Sequence, residues 1–157
     1  MKYIQIFLFL FLIACTAKNN QSQEVIEQIK TQGEKVCREI VESGQFDTCL
    51  DQIENGDAFL IQHADLLYQC ADGANATGLK FSMCRAMLTN PKAVLTMVPE
   101  FMSIDEVCDI PYIEPEQEVI NNHINGAIEA LEGLEDKDAE VKECIKQYTA
   151  LKARFVK

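Results

Sequence analysis

The chain has 157 residues, a formal net charge of −11 and 48% hydrophobic residues, with seven Cys, four Pro and no Trp. No basic stripe is available to neutralise phosphates, so nucleic acid is disfavoured as a partner, as is adsorption to anionic membrane. The acidity suits solubility, or a basic protein partner.

Residues 1–17 read as a secretory signal peptide. Lys2 is the whole positive region, and the apolar run from Tyr3 to Ala14 is interrupted only by Gln5. A membrane-spanning helix needs about 20 apolar residues, so this run is too short. Two processing routes fit. Signal peptidase would cut after Ala17. Alternatively, Leu12-Ile13-Ala14-Cys15 forms a bacterial lipoprotein box, in which the cut precedes Cys15 and the thiol carries lipid. The first route predicts a secreted extracellular protein. The second predicts a lipid-anchored cell-envelope protein, and that lipid would be its only link to a membrane. Residues 18–157 form a single domain, large enough to bury on the order of 70% of its unfolded surface. Asn20 and Asn75 each open an Asn-x-Ser/Thr glycosylation triplet.

The apolar periodicity is helical throughout. Val25, Ile26, Ile29, Val36, Ile40 and Val41 predict one long helix, with Ser22 as N-cap and Gly44 as stop. A short second helix carries Cys49, Leu50 and Ile53. Asp57 caps a third, with Leu60, Ala64 and Leu67 on one face and Gly73 at its end. Residues 74–78 read as a loop, followed by a helix over 79–88. Asn90-Pro91 restarts the chain as a helix to about Val98, where Pro99 interrupts it. Ser103-Ile104-Asp105-Glu106 is a capping box. Pro111 and Pro115 bracket a linker. Two helices follow, one with Val119, Ile120, His123, Ala127 and Leu131, the other with Val141, Cys144, Tyr148 and Leu151. The expected fold is all-α, a disulfide-stapled bundle of about five to seven helices.

Cys37, Cys49, Cys70, Cys84, Cys108 and Cys144 form an even set behind an export signal, which predicts a framework of three bridges. Bridging neighbours (37–49, 70–84 and 108–144) is the simplest pairing. Crossed pairings are as easily built.

No catalytic motif is present. The chain lacks Cys-x-x-Cys, Gly-x-Ser-x-Gly and a phosphate loop. His63 and His123 lie in different predicted helices. His123 falls on an apolar stripe, where a buried neutral imidazole would titrate near physiological pH. Glu132, Glu135, Asp136, Asp138, Glu140 and Glu143 form the densest acidic run. Their order does not match a calcium loop, and they read as a solvated turn. Neither an enzyme, a metal site nor a cofactor is expected. Phe81, Met83, Met87, Leu95, Met97 and Phe101 crowd the middle of the chain, and thioethers with aromatic rings make an adaptable apolar lining. The expected function is a secreted non-catalytic binding protein holding a small apolar ligand between helices. The alternative is a protein-interaction module, a secreted inhibitor or an envelope immunity lipoprotein, using its acidic surface on a basic protein.

Overall fold

A computed structural model describes residues 21–155. The signal segment, Cys15 and Asn20 lie outside them. Every regular element among the described residues is helical, as the periodicity predicts.

Helical residues 21–32 (α1) and Glu34–Glu42 (α2) replace the single long helix expected. The break falls at Gly33, whose φ of +61° and ψ of −144° lie outside any helix and are open to glycine. Ser22 is not the N-cap, because the chain is already helical there. Its hydroxyl is buried and donates to Gln52 Oε1. Gln45–Glu54 (α3) follows Gly44 and buries Phe46, Cys49 and Ile53 on one face.

The third expected helix is likewise split, at His63, into Ala58–Gln62 (α4) and Ala64–Gln69 (α5). The Asp57 carboxylate caps α4, accepting from Leu60 N–H at 3.1 Å. The predicted loop at 74–78 is helix. Gly73–Arg85 (α6) begins six residues earlier than the glycines suggested, and a 3-10 turn at Ala86–Leu88 ends it. Pro91–Leu95 (α7) starts as expected, with Asn90 Oδ1 accepting from Ala93 N–H. The helix stops at Leu95, and turns carry the chain through a cis Val98–Pro99 bond. The capping box forms in full at Ile104–Val107 (α8). An irregular segment leads to the two longest helices, Gln117–Glu132 (α9) and Ala139–Phe155 (α10).

The buried residues form one continuous core with contributions from every helix. One tight junction sets the corner between α3 and α4. Asn90 Nδ2 donates to Gly56 O at 3.0 Å, and Thr89 Oγ1 donates to Glu54 O at 3.1 Å. A side chain on Gly56 would stand 2.9 Å from Thr89 Oγ1, and its φ is +87°.

Two of the three expected bridges are present and staple this core. Cys108–Cys144 belongs to the simplest, neighbour pairing, and it joins the end of α8 to α10. The other two neighbour pairings do not form. Cys37 on α2 instead bonds Cys70 at the end of α5, while Cys49 and Cys84 are free thiols. The reason is facing. Cys49 shares the inward face of α3 with Phe46 and Ile53, whereas Cys37 sits beside the buried stripe of α2 and is only half-buried. Cys84 also points inward, its Sγ lying 3.1 Å from Glu106 O. Burial pushes both free thiols up to about 12, so they stay protonated and unreactive at neutral pH. With sequence separations of 33 and 36 residues, each bridge contributes about 3–4 kcal/mol by restricting the unfolded chain.

Alkylation followed by peptide mapping checks this pattern. Cys49 and Cys84 should label only after denaturation, and the sole cross-links among the six should be Cys37–Cys70 and Cys108–Cys144. A third bridge involving Cys49 or Cys84 would contradict it. Gly56→Ala should lower stability by roughly 1–3 kcal/mol in urea unfolding.

Candidate functional site

A groove of about 500 Å³ lies where the end of α7 meets the break between α9 and α10. Leu95, Val98, Leu134 and Val141 supply its apolar surface. Lys92, Glu135, Asp136, Asp138 and Glu140 surround them, all exposed.

Local chemistry explains this arrangement. α9 ends as Gly133 N–H bonds Glu129 O and Leu134 N–H bonds Leu131 O. Leu131 is fully buried in the core, while Leu134, just beyond the helix, is half-buried and faces the groove. Asp138 restarts the chain as helix, its carboxylate accepting from Val141 N–H at 2.9 Å. That bond turns Val141 inward and leaves Glu140 outside. Among the described residues, no ion pair involves Glu135, Asp136 or Glu140. The C-terminal pole of α9 adds further negative potential beside them.

A second recess, of about 370 Å³, lies between the end of α8 and α10. Asp105, Asp109, Gln147 and Arg154 border it, and Cys108 is also in its wall. Close by is a buried polar cluster. Tyr148 on α10 is fully buried, its hydroxyl 3.5 Å from Val107 O and 3.4 Å from His123 Nε2. A hydroxyl has one proton. Given to the Val107 oxygen, it leaves an oxygen lone pair for an Nε2–H of His123. Nδ1 is buried without a hydrogen bond of good geometry, although the Asp109 backbone lies close enough to favour a ring N–H. Tyr112 stacks edge-on to His123 at 5.7 Å, and the Arg85 guanidinium lies 5.9 Å from the Tyr112 ring centre. Arg85 also pairs with Glu54 at 2.7 Å and donates to Pro111 O. Burial, aided by the nearby Arg85 charge, depresses His123 to about 4, although Asp109 acts in the opposite direction. The imidazole therefore stays neutral at physiological pH, and the expected titration there does not occur.

The predicted ligand residues do not gather around either recess. Of the six, only Leu95 lines one. Met83 and Met87 have no exposure and are core residues. Met97 and Phe101 pack on the core from its edge, Phe101 edge-on to Tyr68 at 5.6 Å. Phe81 is half-buried on α6. Asn75 lies in the first turn of α6, and not in a loop. The groove was missed because its acidic rim reads in sequence as an ordinary solvated turn. The available signal was Leu134, an apolar residue standing alone at the edge of that run. Among the described residues, no group of three or more His, Cys, Asp or Glu side chains is placed to hold a metal ion.

No protein-family model, curated protein or solved structure matches this chain.

The His123 environment gives a pH dependence of known sign. The folded value, about 4, lies below the ordinary 6.5. Between the two, the unfolded chain binds more protons, so stability falls as pH drops from 6.5 through 4. The loss should be on the order of a few kcal/mol. Comparing urea unfolding of the native protein and His123→Gln across this range should show a gap that narrows or reverses as pH falls. Parallel curves would show that His123 does not titrate with folding.

Proposed function

We propose that this chain is an exported, non-catalytic binding protein that engages a basic protein partner through the acid-rimmed groove. The observation that carries this reading is the pairing of an apolar floor with four surrounding carboxylates against a single ammonium. Burying aliphatic side chains supplies affinity, at roughly 1.5–3 kcal/mol for each one fully covered. The exposed carboxylates speed encounter with a cationic surface and reject anionic ones. The net charge of −11 extends the same preference over the molecule.

Export is supported by the two bridges, which persist in oxidising compartments, and by the apolar N-terminal run. No helix among the described residues is long and apolar enough to cross a membrane. The apolar-ligand reading retains less support, because five of its six lining residues lie elsewhere and two of those fill the core.

Decalysine is a suitable first probe. Its binding, followed by fluorescence anisotropy, should weaken about tenfold or more as salt rises from about 50 to about 300 mM. Reversing Glu135, Asp136 and Glu140 to Lys should abolish it. The same reversal at exposed Glu34, Glu39 and Glu42 on α2, which changes the net charge equally, should have a much smaller effect. Equal losses in the two variants would assign the attraction to net charge alone and overturn the groove as its seat.

A further inference from the structure

The groove limits what form its occupant takes, and the inference rests on reading it as the seat of a basic partner. Three recurrent modes of peptide recognition differ in what they require of the receiving surface. Strand addition needs a free sheet edge. The walls here are α7, the end of α9 and the start of α10, and no strand occurs among the described residues. The ends of the two long helices are closed, with Gly133 N–H bonded to Glu129 O and Val141 N–H to the Asp138 carboxylate. Polyproline recognition needs aromatic rings to stack on. None of the residues lining the groove is aromatic.

A helix laid into an apolar groove instead needs aliphatic side chains that converge on one volume, with charge around them to match the helix flanks. Its requirements are met. Leu95 on α7, Val98 in the turns after it, Leu134 in the break and Val141 on α10 converge on one volume of about 500 Å³. Aliphatic side chains at i, i+3, i+4 and i+7 of a helix project as one narrow stripe. Residues flanking such a stripe would face Glu135 and Asp136 in the break and Glu140 on α10. Those carboxylates have no ion-pair partner among the described residues. Asp138 is already engaged as the cap of α10. Lys92, the one cation of the rim, lies on α7 and would meet an acidic or neutral position.

We propose that the groove bounded by Leu95, Val98, Leu134 and Val141 receives an amphipathic helix whose aliphatic stripe is flanked by Lys or Arg.

Four synthetic probes test this by anisotropy against the whole mature protein. The first is a Leu/Lys peptide of about 16 residues, roughly four turns, with Leu at helical spacing. The second has the same composition with Leu scattered around the helix. The third alternates Leu and Lys, which gathers the Leu on one face only when extended. The fourth is an oligolysine of equal charge. The helical-stripe peptide should bind at least about tenfold more tightly than the other three. Leu134→Ser and Val98→Ser, each confirmed as helical by circular dichroism, should remove that advantage while leaving oligolysine binding unchanged. An alternating peptide that binds as tightly as the helical one overturns the helix inference. So does equal binding of all four, which leaves the basic-partner reading intact. No binding of any probe at low salt overturns the basic-partner reading itself. Self-association in sedimentation that Leu134→Ser abolishes would assign the groove to a second copy, and overturn the inference.

Discussion

The packing of α9 against α10 holds the architecture together. The two helices pack closely along their length and are joined by the short break at 133–138. Tyr148, the largest of the fully buried side chains, lies in this contact and reaches across to His123 and Val107. The Cys108–Cys144 bridge ties the same helix to the end of α8 one turn away. The groove opens at the break that joins the two helices, while the second recess lies between α10 and the end of α8, beside the bridge.

Charge is distributed so that the interior and the surface do opposite work. Inside, the polar groups are held neutral. Burial raises Tyr148, Cys49 and Cys84 and lowers His123, and in each case the uncharged form is favoured. Arg85 lies at the edge of this cluster, where its charge is paired with Glu54 and it donates to the Pro111 carbonyl. Outside, the carboxylates remain solvated, and few are neutralised. Glu106 is an exception. Its bond to Lys80, together with the Ser103 cap, lowers it to about 2. A rim of solvated carboxylates over aliphatic side chains is inexpensive to maintain in the free protein. It becomes useful only when a partner brings both cations and apolar surface.

Much of the fold was legible in the residues themselves, for reasons that act over a few positions. Asp57, Asn90 and Ser103 cap the helices they precede, because each side chain needs only a backbone N–H two or three residues ahead. The stripes of α9 and α10 appear as expected, since a helix buries one face whatever lies opposite. Local signals failed where two tendencies competed. Gly73 and Gly78 suggested a loop, but α6 continues through both, with Gly78 fitting beneath Leu50 Cδ1. His63 lies mid-pattern, yet its backbone leaves the helix there and its ring bonds back to Phe59 O.

By itself, then, the sequence determined the helical class, the caps at Asp57, Asn90 and Ser103, and the core stripes. Each of these rests on periodicity or on contacts close along the chain. Only the tertiary structure decided that Cys37 meets Cys70, that Cys49 and Cys84 stay reduced, and that Met83 and Met87 fill the core. It alone also decided that a solvated acidic turn closes over Leu95 and Val98. The reason is physical. Which way a side chain faces is set by its own helix, but what it meets there depends on the crossing of helices far apart in the chain. No local pattern encodes that crossing.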